Sequence, residues 1–292
     1  RMATLLDPDG EVHVGQDVHG RAVTVTPELI DTYRRGTDDD DPRYDTTDGQ
    51  VAPVAPALLF HSEVYRDLGW YLPEIVGNLH AAQEWELFHP MRVGQEVRSR
   101  VTVVERYSKR GRNYIVAEVL FTDAAGRWLQ RSRTHQSFLA EQAAEGFVVD
   151  KQREKKNERT FVVGECDGPD LDGLDKTITL EMCQAFSGPD KNYHTDREMA
   201  RALGFPDVVV QGMLSVCFVS ELMTRNFGDG WLAGGKMHVK LVNVVWPDDA
   251  VRVRGRIRDR APEGSRTRVH ADVWCEKADG VKTIVGSASA LR

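Results

Sequence analysis

Apolar and polar positions alternate with a period of two in several stretches of the first half of the chain. Val97-Arg98-Ser99-Arg100-Val101-Thr102-Val103 places valines on one face and arginines on the other, as a half-exposed strand does. Tyr114 to Phe121 alternates likewise, Asp123 to Gly126 is a hairpin turn, and Trp128 to Phe138 returns. His80 to Phe88 supplies a further strand, which runs into a turn at Pro90–Gly94. Helical spacing comes before this meander. Thr26-Pro27-Glu28 is a helix start with Thr26 as N-cap and Pro27 in the first turn. The spacing of Leu58, Leu59, Val64 and Leu68 predicts a second, longer helix from Ala57 to Leu68.

The second half repeats this plan. Thr177 to Met182 corresponds to Val25–Leu29, SGPDKNYHTD to RGTDDDDPRYDTTD, and VVVQGMLSVCF to VAPVAPALLF. Val244–Val251 matches Pro90–Val97, and the turn Ala278-Asp279-Gly280 matches Ala124-Ala125-Gly126. A repeat at about half the chain length marks a duplicated domain rather than a solenoid of short units. The expected organisation is an N-terminal unit over 1–150, a charged linker over 151–159 (KQREKKNER) and a C-terminal unit over 160–292. Each unit reads as α+β, a long helix held by an antiparallel sheet of about five strands. Pairing two such sheets covers an open edge of each.

Composition narrows the class. Of 292 residues, 41% are apolar and 28% charged, as in a globular protein. No apolar run approaches the ~20 residues that a membrane helix needs. The first twelve residues lack the basic and apolar regions of a signal peptide, so a cytoplasmic protein is the expectation. A net charge of -7 argues against a nucleic-acid partner. Cys166, Cys183, Cys217 and Cys275 are far apart with no metal-ligand spacing, and buried free thiols are expected.

The candidate chemistry lies between Ala185 and Ser220. A turn rich in Gly, Pro and Asp precedes a lone His194, and Val208-Val209-Val210-Gln211-Gly212 opens a strongly apolar helical pattern. Ser187-Gly188, His194, Ala200, Gly204 and Val208 to Leu214 together resemble the MaoC-like family of hot-dog proteins, whose best-known members are R-specific enoyl-CoA hydratases. His80 with Glu84-Trp85-Glu86 and Pro90 is similar to the N-terminal unit of two-unit members, so the resemblance covers most of the chain. It implies a double hot-dog fold and addition of water to a 2-enoyl thioester, or the reverse dehydration. His194 and Asp190 would be the acid–base pair, and the Gly212 N–H would hold the developing enolate oxygen. Asn192, Tyr193, Gln211 and Met213 would contact substrate. No metal or redox cofactor is implied, because CoA or the phosphopantetheine of an acyl carrier protein belongs to the substrate. A homodimer through further sheet pairing is left open.

Two departures from the family pattern matter. The family Asp stands five residues before the His, where this chain has Pro189; Asp190 stands four before. Gln211 replaces the family His that precedes the helix glycine, and Lys191-Asn192 replaces Asn-Pro. A hot-dog thioesterase and a non-catalytic acyl-thioester binder are therefore the alternatives. Asp196 fits an N-cap better than catalysis, and Glu84 and Glu86 fit a surface or interface. Tyr44 stands where His194 stands in the second unit, which leaves one site per chain. The loop from Asp45 to Pro56 and the helix after it would shape an acyl pocket. Lys236 and Lys240 would meet either a phosphate or solvent.

Overall fold

Each alternating stretch forms a strand. A computed structural model describes residues 12–47, 49, 51–66, 79–109, 112–139 and 160–292. The N-terminal unit has strands β1 (Asp17–Thr24), β2 (Leu79–Leu87), β3 (Glu96–Lys109), β4 (Arg112–Asp123) and β5 (Trp128–Leu139). The C-terminal unit has β6 (Leu174–Thr177), β7 (Lys236–Leu241), β8 (Ala250–Glu263), β9 (Arg266–Lys277) and β10 (Lys282–Leu291). Along β3 the side chains of Val97, Val101 and Val103 are buried while Arg98 and Arg100 face water. That is the register the alternation predicts.

The ten strands make one antiparallel sheet in the order β1-β3-β4-β5-β2-β7-β10-β9-β8-β6. Read inward from either edge the order is the same, as duplication requires. The seam is the β2–β7 pair, with Ala82 opposite Lys240, Gln83 opposite Val239 and Trp85 opposite Met237. Each unit thereby loses an open edge. The linker expected at 151–159 lies outside the described residues.

Among the described residues five α-helices accompany the sheet: α1 (Pro27–Thr37), α2 (Leu180–Ser187), α3 (Arg197–Ala202), α4 (Gly212–Phe227) and α5 (Asp229–Leu232). Thr26 caps α1 by accepting from the Leu29 N–H, as its position predicts. α4 is the core of the C-terminal unit. Every residue from Met213 to Thr224 is buried, so the helix is enclosed on all sides. Fully buried Phe218, Leu222 and Met223 each contribute roughly 1.5–3 kcal/mol of burial. α1 of one unit packs on α2 of the other, and a β-carbon on Gly36 would come within 3.0 Å of the Phe186 backbone.

The N-terminal unit departs from the expected long helix over Ala57–Leu68. Residues 57–62 form turns and Glu63–Tyr65 a 3-10 turn, while residues 67 and 68 lie outside the described residues. Leu59, His61 and Glu63 donate to carbonyls three residues earlier, which is 3-10 rather than α spacing. Buried Glu63 accepts from Arg21 on β1 (2.8 Å) and Ser99 on β3 (2.7 Å). That anchor ties the segment to the sheet and leaves apolar spacing a poor guide to its backbone.

A buried ion cluster ties the two units together. Lys176 on β6 and Glu221 on α4 are 5% and 2% exposed and lie 2.9 Å apart, and Arg225 reaches Glu221 at 2.7 Å. Lys176 also donates to the Asp38 carbonyl of the other unit at 2.5 Å. Burial, with Asp39 nearby, raises the Glu221 carboxyl to about 7 against the pull of Lys176. Lys176→Met should lower stability by about 3 kcal/mol, because the carboxylate keeps only one partner. Urea unfolding at pH 7.5 measures it, and an unchanged midpoint would show that the pair contributes nothing.

Candidate active site

The loop between α2 and α3 is shaped by one amide. The Asn192 side chain donates to the carbonyls of Ser187 (2.9 Å) and Asp190 (3.1 Å) and accepts the His194 N–H (2.8 Å). Thr195 Oγ1 receives the Asn192 N–H at 2.9 Å, and Asp196 caps α3 through the N–H groups of Glu198 and Met199. A short polar side chain that bonds its own backbone makes a turn rigid. The loop includes a cis Gly188–Pro189 peptide.

This turn presents His194 to the segment that leads into α4. The Val209 N–H donates to the Tyr193 carbonyl (3.2 Å), and His194 Nδ1 lies 2.6 Å from the Val209 carbonyl. A carbonyl can only accept, so Nδ1 carries the proton and the neutral ring leaves a lone pair on Nε2. Burial holds the imidazole down at about 4, against the opposing effect of the Val209 carbonyl. His194 is therefore neutral at pH 7. Tyr193 lies against it, ring centroids 3.9 Å apart, and also stacks with Phe205 at 5.9 Å. Burial pushes the Tyr193 phenol up to about 12.

Two residues after Val210, α4 begins without a side-chain cap. The N–H groups of Gly212 and Met213 have no hydrogen-bond partner among the described residues. Such a start attracts an anionic oxygen. The Gln211 side chain is turned elsewhere: its Oε1 accepts from Ser187 Oγ at 2.7 Å and its Nε2 donates to Ser62 Oγ at 3.1 Å. Gly212 is a close-packed position. A β-carbon there would collide with the Leu241 side chain and lie 3.4 Å from His80 Nδ1.

The N-terminal unit thus reaches the site through residues that the sequence pattern did not single out for it. His80 Nε2 lies 3.0 Å from Gln83 Oε1, which also accepts from Thr134 (2.8 Å), and His80 Nδ1 meets the Tyr65 hydroxyl at 3.0 Å. His61 Nδ1 bonds Ser62 Oγ at 2.6 Å, and its ring stacks on Phe186 at 3.8 Å. His61 and Ser62 were concealed inside an apparent helix face, where no spacing marks them.

Of the expected site residues, His194, Tyr193, Gln211 and Gly212 come together. Asp190 does not join them: its carboxylate is exposed and makes no hydrogen bond or ion pair among the described residues, and only its backbone carbonyl serves the loop. Asn192, expected to contact substrate, has its amide committed to the loop. The Met213 side chain is fully buried in the core, so this residue offers only its N–H. Tyr44 is buried and donates to Asp39 (2.7 Å). Glu84 pairs with His135 (2.8 Å), and Glu86 with Arg131. Lys236 comes no nearer than 3.9 Å to Glu86. Cys183, Cys217 and Cys275 are buried and free, whereas Cys166 is half-exposed. Among the described residues no cluster of His, Cys, Asp and Glu could hold a metal ion, and no helix is long and apolar enough to cross a membrane.

Two sheets joined edge to edge, one enclosing a central helix with an uncapped start and a lead-in segment that bonds a buried imidazole, define a double hot-dog protein. Residues 170–277 match the MaoC like domain, and residues 12–130 match the FAS1-like, dehydratase domain region. The C-terminal unit is thus a member of the MaoC-like domain family and the N-terminal unit of the FAS1-like dehydratase one, joined in a double hot-dog fold. Hydration or dehydration is the general reaction class this membership supports. A MaoC-like dehydratase from Phytophthora capsici is similar over 98% of this chain and 99% of its own, at 16% identity and a TM-score of 0.70. A double-hotdog protein from Mycobacterium tuberculosis matches over 97% and 98%, at 13% identity and a TM-score of 0.64. The peroxisomal multifunctional enzyme type 2 of Drosophila melanogaster is similar over 94% of this chain and 48% of its own, at 17% identity and a TM-score of 0.64. No curated protein matches the sequence.

Burial also lowers His80 to about 4 and His61 to about 3. An unfolded chain protonates these groups near pH 6.5, while the folded chain holds them neutral, so the unfolded state binds more protons as pH falls. Stability should therefore drop between about pH 6.5 and 4, by roughly 2 kcal/mol per imidazole at pH 5. Urea unfolding at pH 7.5 and 5 measures the slope, which His61→Phe should reduce. A pH-independent midpoint would contradict the burial of these rings.

Proposed function

We propose that the chain adds water to a 2-enoyl thioester, or removes it from the 3-hydroxyacyl product, with His194 Nε2 as the proton-transfer group. The observation that carries this reading is the hydrogen bond from His194 Nδ1 to the Val209 carbonyl, which leaves the Nε2 lone pair free and ties the ring to the segment leading into the uncapped α4. In the hydration direction the Nε2 lone pair takes a proton from water as its oxygen bonds to C3. The C2–C3 π electrons move toward the thioester, and the carbonyl oxygen takes up the charge. The Gly212 and Met213 N–H groups would supply the fixed donors from which that oxygen gains most. The imidazolium then returns its proton to C2, so one imidazole serves both steps if water and proton add to the same face. Asp190 is not required.

Tyr65, His80 and the segment from Asp45 to Tyr65 would shape the acyl pocket from the N-terminal side. The thioester is carried by CoA or by the phosphopantetheine of a carrier protein. The test is the enoyl absorbance of short, long and aryl 2-enoyl-CoA thioesters, with a thiol reagent in parallel. Loss of the band without thiol release supports the reading. Thiol release with the band intact would instead indicate thioester cleavage.

His194→Ala should lower kcat/KM by on the order of 1,000-fold, while Asp190→Asn should stay within about threefold of wild type. Because His194 must be neutral to accept the proton, and burial holds it near 4, kcat/KM for hydration should be flat through neutral pH. It should fall only as pH approaches about 4. A decline already centred near 6.5 would place the essential base elsewhere.

A further inference from the structure

Gln211 is the residue immediately before the candidate oxyanion site, and its amide oxygen is an acceptor of the same kind as a thioester carbonyl. Left loose, that oxygen is the nearest competitor for the N–H groups of Gly212 and Met213. The structure shows it restrained at both ends. Ser187 of the C-terminal unit donates to Oε1 at 2.7 Å, and Ser62 of the N-terminal unit accepts from Nε2 at 3.1 Å. Ser62 is itself fixed. Its oxygen receives the Gln211 N–H and lies 2.6 Å from His61 Nδ1, a hydrogen bond whose direction follows the imidazole tautomer. The His61 ring is stacked on Phe186, centroids 3.8 Å apart and 11° from parallel. Phe186 directly precedes Ser187, so the relay closes on the loop that carries His194. The consequence is visible in α4, which starts with no side-chain cap.

We infer that Ser62, held by His61, is a positioning residue of the C-terminal site: it restrains the Gln211 amide and keeps the first N–H groups of α4 open for the thioester oxygen. The inference rests on the function proposed above and adds to it a group supplied by the N-terminal unit. Neither Ser62 nor His61 takes part in proton transfer. The relay also gives the Gln211 amide a use for both its groups, an acceptor to Ser187 and a donor to Ser62.

The test uses the full-length chain in four forms: wild type, Ser62→Ala, Ser62→Thr, and the double variant Ser62→Ala with Gln211→Ala. The first readout is the carbonyl stretch of bound butyryl-CoA in difference infrared spectra, which reports hydrogen bonding to the thioester oxygen without turnover. Wild type should lower that frequency relative to free butyryl-CoA, Ser62→Ala should lose most of the shift, and Ser62→Thr should keep it. Ser62→Ala with Gln211→Ala should regain it, because the competing amide is gone. The second readout is crotonyl-CoA hydration, where Ser62→Ala should lose roughly ten- to a hundredfold in kcat with KM nearly unchanged, and the double variant should recover part of the loss. A residue that merely supports the fold would not give recovery on a second truncation. An equal shift and kcat in Ser62→Ala and wild type, or no recovery in the double variant, overturns the positioning role and leaves the proposed function standing. Wild type that binds butyryl-CoA with no shift overturns the open oxyanion site, and this inference with it. Wild type that shows the shift and the Ser62 pattern but does not hydrate any enoyl-CoA overturns the hydratase reading alone.

Discussion

The pairing of β2 with β7 is the constraint on which the site depends. Backbone hydrogen bonds along this seam join two half-sheets into one of ten strands. They also fix where the N-terminal unit ends relative to the start of α4. His80 is the second residue of β2 and Leu241 the last of β7, and both crowd Gly212. A shift of one residue in this register would reverse the faces on which Gln83, Trp85, Met237 and Val239 lie. It would also separate His80 from the helix terminus it packs against. The geometry of the site is in this sense a property of the sheet.

Much of the architecture was legible because it depends on periodic burial. Strands such as β3 and β9 announce themselves by alternation, and the duplication by matched elements half a chain apart. The helix expected over Ala57–Leu68 shows the limit of such reasoning. Its apolar spacing suits a helix, but Glu63 is buried by an ion pair with Arg21, residues apart by most of the N-terminal unit's entry segment, and a hydrogen bond from Ser99. Local periodicity carries no information about a partner that lies so far along the chain. For the same reason His61 and Ser62 could not be assigned to a site built mainly from residues more than a hundred positions later.

The candidate site divides in a similar way. His194, Gln211 and Gly212 stand in a pattern specific enough to be located from sequence, and the structure brings them together. The acid expected beside His194 is a different matter. A carboxylate one residue out of place invites the idea that a bulge restores it, and the loop allows no such correction. Asn192 bonds Ser187, Asp190 and His194 through their backbones, and its fixed turn leaves the Asp190 side chain in water. An exposed carboxylate is well solvated and orients an imidazole weakly. The orientation of His194 comes instead from the Val209 carbonyl, whose position is set by the approach to α4.

A duplicated fold with one site raises the question of what the second copy does at the equivalent place. In the N-terminal unit Tyr44 occupies the position of His194 and donates to Asp39 in a buried pair. Where α4 starts in its partner, residues 57–62 run in turns. Among the described residues of the N-terminal unit no α-helix starts at that place. Those same turns point Ser62 and His61 across the unit boundary to Gln211 and Phe186. The turns over 57–62 and the contacts with the other unit fall in the same segment.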